Sequence, residues 1–363
     1  MSKSPSERFL LSNVENHNNG QRGMKISDDI PSDESVRRHC EILQNELEEL
    51  HDEGYLFQPE VHSEDDCIQL TNSLNAKIQE ISLSIVRACC SSAGTPSSLE
   101  RINISAQDLS QIQTIRPLIG RPAIEFFLNT PQSGSGDNMR YMYIIRCAIQ
   151  ATLAALCDRV VSTWSFDKEE NEVLSNMYVS LRSQFDNPAL TGTWRSLTRS
   201  QSKIAEYHRL KPAAIRSFVS ETAKVLVLSR GISWDLNDAQ GIIQDYFQGE
   251  FADLYSYCFR LDRITGESIL SFDTEVYLPE PGQLYDHTIM YDMDTSTRSK
   301  DGSSSAPKIA FSCRLGLLKV VKKESNDDFD ISGRKEIEEE EILLKAGVQP
   351  ASLISDFGRA ISP

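Results

Sequence analysis

From Tyr141 to Phe259 apolar residues recur at spacings of three and four, segment after segment, with capping signals between the segments. That spacing lays an apolar stripe along one side of each helix, and each stripe needs a partner. It predicts a central bundle of about five helices over 141–262. The first carries Tyr141, Ile145, Ala148, Ile149, Thr152, Leu153, Leu156 and Val160. Asp167 and Glu170 have capping-box spacing and open the second, with Val173, Leu174, Met177, Tyr178, Leu181 and Phe185 turned inward. The third starts near Pro188 and faces in through Trp194, Leu197, Ile204 and Tyr207. Pro212 suits the first turn of the fourth, which continues through Ile215, Phe218, Val219, Thr222, Val225 and Leu226. The fifth runs from Leu236 to Phe259.

On either side the pattern changes. Residues 1–31 are polar and are expected to be disordered. Val36, Cys40, Leu43, Leu47 and Leu50 alternate spacings of four and three, a coiled-coil seam about two heptads long. A second helix opens at Ser63, its stripe made by Leu70, Leu74, Ile78, Ile81, Ile85 and Ala88. Together they predict an antiparallel helical hairpin over 32–90. Two heptads are marginal alone, so the hairpin needs a second copy, the main body or another protein. Residues 91–140 read as a linker and irregular segment with one short helix at Ala123–Leu128. Beyond Arg263, ILSFDTEVYLP and KIAFSCRLGLLKVV alternate loosely and suggest a β hairpin in a β or irregular segment, 263–322. An acidic tail, 323–363, follows, in which Ile342, Leu343, Leu344 and Val348 could form a short docked element. The fold class expected is mainly α, with a small β or irregular C-terminal region.

Charge narrows the partners. The chain has 37 basic and 53 acidic residues, a net charge of −16. That field repels nucleic acid and anionic lipid unless a local basic patch overrides it. The uncharged stretch from Cys147 to Cys157 is shorter than the about 20 residues that cross a bilayer, so no membrane span is expected. The first residues lack the basic flank and apolar stretch of a secretory signal. Eight cysteines show no C-x-x-C pair, and most fall on apolar faces. These features point to an intracellular protein, cytoplasmic or nuclear.

Reactive motifs are few. The sequence has no P-loop, no G-x-S-x-G and no H-E-x-x-H. Three H-x-E triplets (His39/Glu41, His51/Glu53, His62/Glu64) lack the P-C-x-x-C that completes a zinc deaminase site, so no metal or cofactor is expected. HTIMYDMDTST resembles the D-x-D nucleophile motif of haloacid-dehalogenase-like phosphatases, which would make Asp292 the nucleophile and Asp294 the acid/base. Its fifth position is Ser296, and too little chain follows for that α/β domain.

One basic stripe stands out. From Thr191 to Arg216 there are six basic residues and one acid, and Arg195, Arg199 and Lys203 are spaced by four along one helix face. Three readings stay open: an anchor for an anionic partner, a solvated face, or internal pairing with Glu46, Glu48, Glu49 or Glu338 to Glu341.

Two stretches, CIQLTNSLNAKIQEISLSI and STWSFDKEENEVLSNMYVSLRSQFDNPALTGTWRSLT, resemble segments of helical proteins abundant in mushroom-forming fungi. Trp164, Ser165, Phe166, Asp167, Trp194, Arg195, Leu197 and Thr198 carry the likeness. It implies a helical architecture and no particular activity.

The function expected is therefore a non-catalytic protein–protein interaction or scaffold role, with Val36, Leu43, Leu47 and Leu50 as the contact seam. The alternatives are a hydrolase or phosphotransfer enzyme using Asp292 and Asp294, and a binder of anionic partners through Arg195, Arg199 and Lys203.

Overall fold

Ser63 and Asp66 cap each other at the start of the first helix, α1 (Glu64–Ser91). The Asp66 carboxylate accepts from the Ser63 amide at 2.8 Å and its hydroxyl at 2.9 Å, while the Asp66 amide reaches Ser63 Oγ at 3.3 Å. Those bonds hold the Asp66 carboxyl below its ordinary value, the backbone one most of all. The computed structural model describes residues 62–91, 110–129, 138–165, 167–185, 188–204, 207–229, 235–293, 307–323 and 337–355, all within one unit, 59–363.

Leu70, Leu74, Ile78, Ile81 and Ile85 of α1 are buried as the spacing requires, but Cys89 completes the stripe and Ala88 is exposed. This stripe belongs to the main core, shared with the central helices. The other arm of the expected hairpin, with Val36, Leu43, Leu47 and Leu50, lies outside the described residues.

A 3-10 turn (Gln113–Ile115) leads into α2 (Arg116–Asn129), which is longer than its proline content suggests. Gly120 adopts φ 78° and kinks the helix, so Pro122 follows a break and does not interrupt an α-helical ladder. A β-carbon at Gly120 would also lie 2.6 Å from Pro281 Cβ. The five bundle helices follow: α3 (Asn138–Ser162), α4 (Lys168–Gln184), α5 (Pro188–Ile204), α6 (Tyr207–Leu228) and α7 (Leu236–Arg263).

Three details differ from expectation. Asp167 caps α4 by accepting from the Glu170 amide at 3.0 Å, but the Glu170 side chain takes the Ser165 hydroxyl at 2.6 Å in place of the Asp167 amide. Only Tyr178 and Leu181 of α4 are buried, and Val173 is 56% exposed, because α4 packs along one edge of the bundle. Pro212 sits inside α6, which begins at Tyr207, so one helical hydrogen bond is given up there.

Six short strands follow: β1 (Asp273–Tyr277), β2 (Met290–Asp292), β3 (Ile309–Arg314), β4 (Gly316–Lys323), β5 (Ile337–Leu344) and β6 (Ala346–Pro350). The two expected strand stretches do pair antiparallel, through β1 and β4, but as part of two three-stranded sheets, ordered β1-β4-β5 and β2-β6-β3. β4 lies between β1 and β5, antiparallel to both, while β6 pairs parallel with β2 and antiparallel with β3. The acidic tail thus supplies two strands. Lys319 of β4 stands opposite Glu341 of β5 and pairs with it at 3.4 Å, so opposite charges face across that ladder.

The chain changes sheet three times: along the connection from β1 to β2, at Leu315 between β3 and β4, and at Lys345 between β5 and β6. Gly316 is required at this crossing: a β-carbon there would lie 2.8 Å from both Ala346 N and Leu344 O. A second apolar cluster draws on both sheets, through Tyr277 and Leu318 from one and Met290, Ile309, Ala346 and Val348 from the other. Phe311, Cys313, Leu315 and Leu317 point instead into the helical core.

Candidate functional site

Helix α5 carries the basic stripe, and its Arg195 and Arg199 face inward. It forms a seat for the segment between α7 and β1, which includes a π turn at Ile264–Ser268. Gly192 lets the Leu270 carbonyl approach the helix so closely that a β-carbon would collide with it. One turn on, Arg195 is 3% exposed. Its Nε donates to Gly266 O at 3.3 Å, and its Nη2 donates to Ile269 O and, at 3.3 Å, to Phe272 O. Its Nη1 meets Tyr178 Oη at 3.3 Å and pairs with Asp273. Ser196 Oγ donates to Glu267 O at 2.7 Å.

The arginine thus satisfies carbonyls that the π turn and the following irregular backbone leave outside any ladder. A buried carbonyl without a partner costs about 1–3 kcal/mol, which is the physical reason for a five-donor side chain at this place.

Arg199 extends the seat. It pairs with Asp262 at 2.8 Å and lies 4.7 Å over the Trp164 ring. Asp262 is buried in the last turn of α7, where the negative end of the helix dipole disfavours a carboxylate, so a cation beside it is needed. Trp164, Trp194 and Tyr178 enclose the arginines: Trp164 and Trp194 are 5.7 Å apart, and Tyr178 stacks on Trp194 at 5.9 Å. Arg182 of α4 adds a second guanidinium to Asp273 at 3.1 Å and reaches Glu275 at 3.4 Å. Burial raises the Tyr178 pKa against the opposing pull of Arg195, so the phenol stays protonated and donates to Asp273. Burial likewise lowers the Arg195 pKa, opposed chiefly by Tyr178. Beside Arg182, Thr191, Phe272 and Asp273 lies a crevice of about 20 Å³, the size of a water molecule.

The guanidiniums of Arg195 and Arg199 are turned into the fold and engaged there. The pairing is internal, with Asp262 and Asp273; Glu46, Glu48 and Glu49 and the side chains of Glu338 and Glu339 lie outside the described residues. The Lys203 side chain lies outside the described residues. Trp164 meets Trp194 and Arg195 of α5 here from a separate segment.

Asp292 ends β2, opposite Val348 of β6, and is partly buried; Asp294 lies outside the described residues. In the His62/Glu64 triplet the two residues turn to different partners, His62 to Asp66 at 3.9 Å and Glu64 to Lys319 at 2.6 Å. The other two triplets lie outside the described residues. Among the described residues no cluster of His, Cys, Asp and Glu could hold a metal ion, and no helix is long and apolar enough to cross a membrane.

Sequence reasoning missed Tyr178, Arg182, Asp262 and Asp273 as members of one cluster. A usable signal was there: a helix with excess arginines preceding FRLDRITGESILSFD, whose acids include Asp262 and Asp273. No family model, curated protein or solved structure matches the chain.

Proposed function

We propose that the chain is a non-catalytic intracellular interaction or scaffold protein. The helical body is the rigid carrier, and the seam of Val36, Leu43, Leu47 and Leu50 is the contact surface. The observation that carries this reading is the saturation of Arg195. The densest gathering of charged and aromatic groups described is a brace whose donors are consumed by backbone carbonyls, Tyr178 and Asp273. A reactive site needs donors and carboxylates aimed at a substrate, and here they are aimed at each other. Six buried free cysteines support a reducing compartment.

The test is association of the full chain with itself or with a captured partner, read by light scattering. The double substitution Leu43→Asp, Leu47→Asp is expected to abolish it while leaving the melting temperature unchanged. Association undiminished by the double substitution contradicts the reading.

A further inference from the structure

A second polar cluster lies where α3 meets the β2-β6-β3 sheet. Tyr143, Arg146 and Gln150 occupy one face of α3, at i, i+3 and i+7. Gln349 of β6 reaches Tyr143, and Arg314 ends β3, the strand of Cys313. Helix-on-sheet seams are ordinarily apolar, so this one calls for an explanation.

Its hydrogen bonds are incomplete. Gln349 donates to Tyr143 Oη at 2.7 Å, and Arg314 donates to Tyr291 Oη at 3.0 Å and Gln79 Oε1 at 2.6 Å. The Nε atoms of Arg146 and Arg314 remain buried without an acceptor, and the Oε1 atoms of Gln150 and Gln349 without a donor. Gln150 is 2% and Gln349 0% exposed, so bulk solvent does not serve them. Among the described residues neither arginine has a carboxylate partner; Arg146 lies 4.7 Å over the Tyr143 ring. Both guanidiniums act on the same thiol, Cys313, whose Sγ lies 3.6 Å from Cys147 O on α3. Two uncompensated positive charges at one seam are unusual in a chain of net charge −16.

The unmet groups define a ligand. Buried Nε–H donors ask for an anion's oxygens, and buried amide oxygens ask for a hydroxyl. Sulfate and carboxylates offer acceptors only, whereas phosphate keeps a hydroxyl at neutral pH. We propose that Arg146, Gln150, Arg314 and Gln349 form a binding site for a small oxyanion that retains a hydroxyl, of the inorganic phosphate class. Arg146 and Arg314 are both partly exposed, so the cluster reaches the surface through its two arginines. This is independent of the association reading and moves anion recognition away from the Arg195 stripe.

The experiment uses the full chain at pH 7.5, with inorganic phosphate, sulfate and glycerol phosphate compared at equal ionic strength by thermal melting and titration calorimetry. Phosphate is expected to raise the melting temperature and to bind about tenfold or more tightly than sulfate. Glycerol phosphate, whose phosphoryl group has lost its hydroxyl at this pH, is expected to behave like sulfate; tighter binding than inorganic phosphate would assign the site to monoesters and overturn the hydroxyl requirement. Arg146→Gln is expected to abolish the phosphate effect, while Arg121→Gln, on the exposed face of α2, keeps it. If Arg146→Gln does not fold, Gln150→Leu serves, with the preference for phosphate over sulfate expected to disappear. Equal effects of phosphate and sulfate on the unaltered chain, no effect of either, or a phosphate preference surviving both substitutions overturns the site.

Discussion

Asn75 and Leu315 hydrogen-bond in both directions: Asn75 Nδ2 donates to Leu315 O at 2.9 Å, and the Leu315 amide donates to Asn75 Oδ1 at 2.8 Å. Leu315 is the residue at which the chain leaves one sheet for the other, so its own peptide groups have no ladder partner. A buried amide side chain from α1 takes the place of the missing strand. Arg195 does the same for the π turn and its exit. Both polar side chains complete backbone that regular structure abandons.

Replacing Asn75 with Leu keeps the number and branching of heavy atoms and strands two buried peptide groups. The expected cost is roughly 2–4 kcal/mol in urea unfolding at unchanged m-value, about 1–3 kcal/mol per orphaned group less some relaxation. Asn75→Asp keeps the acceptor and loses the donor, and is also expected to destabilise.

Glycines separate into two kinds. Gly241 and Gly249 lie in α7 with open space where a β-carbon would go. Alanine at each is expected to raise stability by about 0.5–1 kcal/mol, since it stiffens the unfolded chain without a clash. Gly192→Ala is expected to lower the melting temperature, because the new methyl group meets the Leu270 backbone. Melts of the three single variants check both signs.

Asp158, near the end of α3, gives a pH dependence. The residue keeps some contact with solvent, yet burial of its carboxyl pushes the pKa up to about 6, against the lowering effect of the Ser162 hydroxyl. The folded state therefore holds this proton more tightly than the unfolded chain, whose value is 3.8. Its contribution is full below about pH 4 and is lost as pH rises through about 6. Asp158→Asn, a mimic of the protonated form, is expected to be more stable at pH 7 by roughly 1–2 kcal/mol, discounted for partial exposure. The gain is expected to vanish below about pH 4 in the same unfolding series.

Thiol labelling tests the core. Burial pushes Cys67 up to about 12 and Cys89 up to about 11, and Cys147, Cys157, Cys258 and Cys313 are also fully enclosed. Iodoacetamide at pH 8 is expected to leave the peptides of all six unmodified in the native protein and to modify them in urea. Peptide mapping before and after unfolding reads the difference. Native labelling of any of the six at the rate seen in urea would show that its part of the core is open to solvent.

Much of the helical body was legible because burial repeats with the helical period. The Leu74, Ile78, Ile81 and Ile85 stripe is an example, and so are the caps at Ser63 and Asp167. The sheets were less legible. Their strands have three to eight residues, and β5 reads as IEEEEILL, whose glutamates suit an exposed strand opposite β4 as well as they suit a tail. The arginine seat was half legible. Spacing put Arg195 and Arg199 on one face, but spacing cannot say whether that face meets solvent or a buried acid from a strand still to come. Asp273 is 78 residues beyond Arg195 in the chain, and only tertiary structure joins them.

The inward-facing Arg195 is tested most directly by equilibrium urea unfolding of Arg195→Gln beside the unaltered chain. The substitution leaves Asp273 short of a partner and several carbonyls unserved, and a loss of roughly 3–5 kcal/mol is expected. A change within about 0.5 kcal/mol, the size typical of an exposed position, would show that Arg195 faces solvent and would contradict the structure of the seat.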